Sequence, residues 1–442
     1  MTNTFNTTDD AFTFIGSFIN FERSKKQTIR DYRLDRMREL LQHFGNPEKS
    51  FNIIHLAGSK GKGSTAMFLA SALNSAGEKT GLYSSPHISD YRERISLGGL
   101  FFEDDVYINT ALEIANGIKS FILDDETGSK EPTTFELLTL MAFMIFKKTE
   151  CSWAVIETGI GGRLDATNVI TPEAAVITHI EMEHSDILGD TIEKIAFEKA
   201  GIIKKGIPVF SGKQIAVSAE VIRNKAQLMT APLTILNEKI TNSEIIVTSD
   251  RTKVSFKIEN NLDHFNLVTI GSVQAENALL AWVVLLELLQ PDKLLKKLLI
   301  KGINSAKLPG RFEIITKDNI PFVFDGAHTP VSINRLLETW NSIFKENGIL
   351  IFGSVADKNP SKMAKLLSPH FENIIISTPG TFKESYPEDV YEIFCKYSNN
   401  VKLLKDPLKA YNQAIELSNG NTPILVTGSF YMVSEIRKLV TI

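Results

Sequence analysis

Cysteine is scarce in this 442-residue chain: Cys151 and Cys395 stand far apart. They could pair only if the fold brought them together, so the expectation is a reduced, cytoplasmic protein. An excess of one charge is also missing. Lys and Arg number 48 against 52 Asp and Glu, a net charge of −4, which suggests neither a nucleic-acid nor a membrane surface. The opening MTNTFNTTDD has no basic or apolar region of the signal-peptide kind. The longest apolar run, Ala278–Leu289, contains Glu287 and is too short for a bilayer, so it predicts a core helix. No internal repeat or low-complexity segment occurs. What is present is 43% apolar residues, enough for real cores, over a length that suggests two or three domains.

The stretch Phe51–Thr65, FNIIHLAGSKGKGST, organises the rest. Its apolar run Ile53–Ala57 predicts a buried strand. Gly58, Gly61 and Gly63 follow, and Met67, Phe68, Leu69 and Leu73 mark a helix stripe. Strand, glycine loop and helix are the setting of a phosphate-binding loop, where backbone N–H groups and a helix N-terminus meet phosphate oxygens. Lys62 would reach the β- and γ-phosphates, and Ser64 or Thr65 a Mg2+ ion or a phosphate. Gly63, between Lys62 and Ser64, departs from GxxxxGK[ST]. A glycine-rich surface turn therefore stays open as the plain alternative.

Elsewhere the chain alternates. Helices are expected over 10–22, 33–44, 103–121, 133–147 and 191–200, the last capped by Thr191 and Gly201. Strands are expected over 80–83, 153–157, 174–178 and 209–210, and loops over 24–33 and 124–131; residues 88–95 alternate in polarity. From 244 to 270 the pattern suggests antiparallel strands, and helices follow over 273–289 and 293–302. Residues 232–302 together read as an appendage on the first domain. Beyond Pro309-Gly310-Arg311, strands at 321–324, 348–352, 373–377, 401–404 and 423–427 alternate with helices at 331–345, 360–368, 387–397, 406–418 and 430–440. That βαβ pattern implies a mostly parallel sheet. The expected class is α/β, in domains 1–302 and 309–442.

Two further groups of residues carry chemistry. Glu157 ends a buried strand and precedes TGIGGRLD, at the strand end where α/β proteins bind ligands. His179-Ile180-Glu181-Met182-Glu183-His184 holds metal-ligand types without a helical zinc spacing, and a polar turn explains it equally well.

The motifs GSKGKGST, SSPHISDYRERI, TTFELLTLMAF, ETGIGGRLDATNV, EHSDILGDTIEKIAFEKAGIIKKG, LPGRFE and FDGAHTP occur in that order. Together they resemble the folylpolyglutamate synthase and dihydrofolate synthase family, a branch of the Mur ligase superfamily. The resemblance covers the chain from about residue 28 onward. It implies a P-loop, Mur-ligase-like ATPase domain with a small antiparallel appendage, followed by a Rossmann-like glutamate ligase domain. It implies a monomeric, ATP-dependent ligase with two Mg2+ ions, joining L-glutamate to dihydropteroate or a reduced folate in the cleft between domains.

Carried over by motif, Gly58, Lys60, Gly61, Lys62, Gly63 and Ser64 would hold the triphosphate. Ser85 and Glu157 match ligands of one Mg2+ and His184 a ligand of the other. Lys199 matches a lysine that is carbamylated in the family. Asn277, Arg311 and Asp325 match ATP contacts, and His328 would help place glutamate or phosphate. Thr133, Thr134, Phe135 and Glu136 match one wall of the pterin site, and Leu164, Asp165 and Ala166 another. Asp31 matches an acidic residue in a loop over dihydropteroate. Departures from the family pattern are Glu183 for Asp, Thr329 for Asn, Val273 for His and Ser59-Lys60 for Thr-Asn; none removes a metal ligand. A peptidoglycan-precursor ligase would place a nucleotide-sugar domain before the loop, where only about fifty residues stand. A nucleotide-gated regulatory ATPase would hydrolyse ATP without glutamate.

Overall fold

The computed structural model describes residues 4–20, 34–121, 131–259, 261–345, 347–356, 358–380 and 383–441. The expected loop at 24–33, with Asp31, lies outside the described residues, as does nearly all of the loop at 124–131.

The first sheet contains β1 (Asn52–Ala57), β2 (Thr80–Tyr83), β3 (Ile95–Ser96), β4 (Trp153–Glu157), β5 (Ala174–Ile177), β6 (Val209–Ser211) and β7 (Leu233–Ile235). Their order is β3-β2-β4-β1-β5-β6-β7, parallel except for β3. β4 and β5 are buried at every residue, so they read as unbroken apolar runs. Helices Lys62–Ser75 and Ser272–Leu289 pack on one face; Asp104–Gly117 and Thr134–Lys148 pack on the other.

β8 (Ile240–Val247), β9 (Thr252–Ile258) and β10 (Asn261–Leu267) form a small antiparallel sheet. β11 (Glu313–Lys317), β12 (Ile320–Phe324), β13 (Gly348–Phe352), β14 (Phe371–Ile376), β15 (Val401–Leu403) and β16 (Ile424–Thr427) form the third sheet. Its order is β11-β12-β16-β13-β14-β15, antiparallel only at β11. Leu350 and Phe352 pack towards helix Pro330–Ile343, and Ile349 and Ile351 towards helix Phe430–Thr441, as a period of two requires.

Several expectations change. Only 240–267 forms the appendage. Helix Ser272–Leu289 is a core helix as its apolar run predicts, but it belongs to the main core and not to the appendage: it is apolar on every side and Asn277–Leu285 are all buried. At 18 residues it is long and apolar enough to cross a membrane, which the shorter apolar run did not suggest; here protein packing fills the role lipid would play. The alternating stretch 88–95 supplies only Ile95 to strand β3, because Asp90 and Glu93 form a capping box that curls Tyr91–Arg94 into a 3-10 turn. Helix Ala216–Leu228 and strands β7 and β11 were not expected. Gly201 does end its helix, but with φ −62. It is glycine because a Cβ there would lie 2.3 Å from Arg163 Cβ.

Gly302 lets helix Lys293–Ser305 cross helix Lys62–Ser75 closely: a Cβ would lie 2.3 Å from Ser71 O and 2.5 Å from Ala72 Cα. Both are backbone atoms that cannot swing aside. Gly302→Ala is expected to destabilise by about 2 kcal/mol or more, read as a lower urea midpoint.

Candidate active site

The carboxyl ends of β1, β2, β4 and β5 and those of β12, β13 and β16 open onto one cleft of about 1090 Å3. Beyond β1, Gly58 adopts φ +151, and a Cβ there would meet Thr178 Oγ1 at 1.9 Å. Gly61, at φ +87, precedes helix Lys62–Ser75, and a Cβ there would meet Asn277 Oδ1 at 2.4 Å. Both positions demand glycine. Gly61 makes no side-chain cap, so the first helical N–H groups are left for a ligand in the cleft. Ser59 N and Lys60 N donate to His179 O at 2.8 and 3.1 Å, tying the loop to the exit of β5. Lys62 Nζ donates to Gly58 O at 3.0 Å and lies 3.9 Å from Glu157 Oε1. Lys60, Gly61, Lys62, Gly63 and Ser64 line the cleft; Gly58 lies behind them.

Glu157 and His184 line that cleft too. Glu157 accepts from Ser85 N at 3.2 Å, so Ser85 meets it through the backbone. Burial pushes the Glu157 carboxyl up, opposed by Lys62 and the Ser85 N–H. His184 has φ +46 and leads into Ser185–Leu188. Desolvation in the cleft lowers its proton affinity, and the cations Lys358, Lys199 and Lys62 add to that. The residue as a whole is exposed, so water screens part of this effect.

Lys199 is buried behind the cleft, 1% exposed. Its Nζ donates to Glu183 Oε1 at 2.7 Å and to Gly58 O at 2.8 Å. Burial lowers Lys199 to about 8 despite Glu183. Burial by itself would raise Glu183, but Lys199, Lys62 and Lys60 bring it to about 2.

The opposite wall comes from the third sheet. The Arg311 guanidinium stacks 3.8 Å from the centroid of Phe430. Asp325 accepts from Phe312 N and Ala327 N, each at 2.8 Å. Desolvation raises it to about 6, with Arg311 opposing. His328 Nδ1 donates to Gly326 O at 2.7 Å, leaving the Nε2 lone pair towards Lys60 Nζ at 3.3 Å. Lys60 and His328 thus meet across the cleft. Asn277 donates to Gln274 Oε1 at 3.3 Å and covers Gly61.

The two expected pterin walls also line the cleft: Thr133, Thr134, Phe135 and Glu136, and Leu164, Asp165 and Ala166. Several of these residues have structural work. Thr133 and Glu136 form the capping box of helix Thr134–Lys148, and Arg36 Nε donates to both Glu136 oxygens at 3.0 and 2.9 Å. Thr134 Oγ1 donates to Phe18 O at 3.0 Å. Asp165 accepts from Gly159 N, Ile160 N, Thr167 N and Thr167 Oγ1. Apolar surface remains at Phe135, which packs beside Tyr83 and over Gly159.

A Mur ligase middle domain matches residues 56–285, and a Mur ligase glutamate ligase domain matches residues 310–430. A dihydrofolate synthase/folylpolyglutamate synthase of Bacillus subtilis is 33% identical over 92% of this chain and 94% of its own length. The chain belongs to the folylpolyglutamate synthase and dihydrofolate synthase family. A folylpolyglutamate synthase of Lacticaseibacillus casei is 30% identical over 91% of this chain and 93% of its own. A Mycobacterium tuberculosis folylpolyglutamate synthase complexed with ADP superimposes with a TM-score of 0.87 at 25% identity, covering 98% of this chain and 99% of the other. A folylpolyglutamate synthase complex with AMPPCP and folate superimposes at 0.81 with 27% identity, covering 98% and 99%.

In this family member, Arg36 and Phe430 are cleft residues that the sequence did not single out. Arg36 finds its partner 100 residues away, a distance at which no local pattern speaks. Glu183 drew notice as one of a group of metal-ligand types and as a replacement for Asp, yet it is the partner of Lys199.

His55 and His328 are held neutral at about 3, against 6.5, by burial. The unfolded chain binds protons that these rings refuse, so stability falls as pH drops below 6.5. Fully buried His55 accounts for about 2 kcal/mol at pH 5, and part-buried His328 for less. Asp325, raised to about 6 from 3.8, works in the opposite sense between those values. A net loss of about 2 kcal/mol between pH 7 and pH 5 is expected from urea unfolding.

Proposed function

We propose that this chain is an ATP-dependent amide ligase that adds L-glutamate to dihydropteroate, to the glutamate tail of reduced folates, or to both, through an acyl phosphate. The observation that carries this reading is one cleft in which Lys62 and Glu157 of the first sheet face Arg311 and Asp325 of the third. The known complexes of relatives with ADP, or with AMPPCP and folate, support nucleotide and folate as ligands here.

The loop N–H groups of Gly61 to Ser64 would hold the triphosphate, with Asn277 and Asp325 on the nucleotide side. The acceptor carboxylate, seated along Phe135 and Leu164, attacks the γ-phosphorus in line, and ADP leaves. Lys62 and Arg311 stabilise the charge spreading over the phosphoryl oxygens. The glutamate amine then adds to the acyl carbon, and phosphate departs from the tetrahedral intermediate. His328, whose Nε2 accepts from Lys60 across the cleft, would help place the glutamate or the phosphate. Closure of the cleft would keep water from the acyl phosphate.

Ser85 and Glu157 would hold one Mg2+ and His184 another. The donors fit: a buried carboxylate pushed towards its neutral form gains from a cation, and a neutral imidazole can ligate. Among the described residues no three His, Cys, Asp or Glu side chains converge on one point. That suits an ion that takes most of its ligands from water and phosphate. Mg2+ would supply charge neutralisation at the phosphate oxygens.

Carbamylation of Lys199 is part of the proposal. Its lowered proton affinity leaves neutral amine to add to carbon dioxide, with loss of one proton. The carbamate would face Glu183 as a second anion, so it needs the metals nearby. An unmodified ammonium in a high-resolution, metal-loaded structure would refute it. The chain is expected to work as a monomer, checked by light scattering.

The deciding experiment measures ADP release with and without glutamate and acceptor, comparing dihydropteroate with tetrahydrofolate. Release that requires both glutamate and one acceptor is expected. ATP turnover indifferent to both would instead fit a regulatory ATPase.

A further inference from the structure

One buried polar chain plays no part in the reaction above. His55, in the middle of β1, is fully buried, and its Nε2 lies 2.8 Å from Thr167 Oγ1. Thr167 Oγ1 lies 2.6 Å from Asp165 Oδ1, while Asp165 Oδ2 accepts from Gly159 N at 2.9 Å and Ile160 N at 3.1 Å. A threonine hydroxyl has one proton. Here it goes to Asp165, so Thr167 must accept from His55, and the ring is the Nε2–H tautomer. His55 Nδ1 has no hydrogen-bond partner among the described residues. Lys204, whose Nζ donates to Asn168 O at 2.9 Å, is the cation acting on the ring.

The direction of these bonds matters. Without a donor at His55, the Thr167 hydroxyl could rotate away from Asp165. With it, the hydroxyl is locked onto Oδ1, and Oδ2 is left to grip the two amides that follow β4. Those amides carry the backbone on which Phe135 rests, since a Cβ on Gly159 would lie 2.7 Å from Phe135 Cζ. The chain of bonds therefore runs from the strand that feeds the phosphate loop to the wall that faces the acceptor.

We propose that His55 is a positioning residue: acting through Thr167 and Asp165, it orients the Gly159–Leu164 loop and so sets affinity for the ring-bearing acceptor without touching it. This rests on the ligase reading above, and the test separates the two.

Thr167→Val removes the hydroxyl at nearly constant shape, and Thr167→Ser restores it. KM for acceptor, ATP and glutamate is measured for each, with urea midpoints to establish folding. The expected result is a rise of about tenfold in acceptor KM for Thr167→Val, with ATP KM within about twofold and recovery in Thr167→Ser. An unchanged acceptor KM, or a parallel rise in both constants, would overturn the proposal. If the native chain consumes no ATP with any pteroyl acceptor, the ligase reading has failed, and the relay is judged by nitrogen-15 NMR. That experiment also decides the matter if Thr167→Val does not fold, because it uses the native protein. A neutral Nε2–H tautomer at His55 supports the relay, and an Nδ1–H tautomer overturns it.

Discussion

Lys62→Ala is expected to lower kcat by about a thousandfold or more, with the fold retained. The reason lies in where charge develops. Lys62 comes from the glycine loop, is only 13% exposed, and stands 3.9 Å from Glu157. In water a lost cation is replaced by solvent; in this cleft it is not, so the phosphoryl charge loses a neighbour that needed no reorganisation. Glu157 loses its cation as well, but it can take up a proton, which limits the cost to folding. ADP release and far-UV circular dichroism, measured together, check this. A folded variant with undiminished turnover would remove the loop from the mechanism.

The largest stability effect is expected at Arg36. Its guanidinium is 2% exposed and grips Glu136, whose side chain is 5% exposed. Arg36→Met would strand a buried carboxylate, at a cost of about 3–5 kcal/mol. Glu136 also accepts from Thr133 N at 2.7 Å, so the helix start at Thr134 would loosen with it. In the double variant Arg36→Met/Glu136→Gln the glutamine keeps the capping bond and the stranded charge is gone. That variant should recover most of the loss. Urea midpoints of the two proteins measure the difference. Equal losses in both would mean that packing of the Arg36 stem, and not its charge, is what matters.

These predictions draw on different degrees of legibility. The phosphate loop was readable because its glycines and strand-to-helix order are local: Gly58 and Gly61 hold backbone angles that other residues resist. Thr133 and Thr191 were readable as helix starts for the same reason. The roles of Glu136 and Asp165 were not. The resemblance placed them on a ligand wall, whereas their oxygens also cap helices and hold loops. Helix Ala216–Leu228 was missed: just Ser218, Ile222 and Ala226 are buried on it, too thin a stripe to stand out. Helix Ser272–Leu289 was recognised as a core helix but assigned to the appendage, because a helix apolar all round gives no sign of which neighbours surround it.

By itself the sequence determined the α/β alternation, the glycine loop and the family. Each rests on backbone angles, burial period or motif order, which act within a few residues or are read directly from the chain. Only the tertiary structure decided that Lys60 meets His328, that Lys199 pairs with Glu183, and that Arg311 lies on Phe430. Those partners depend on strand order and on how two sheets face each other. A buried charge must find a counter-charge wherever the fold brings one near.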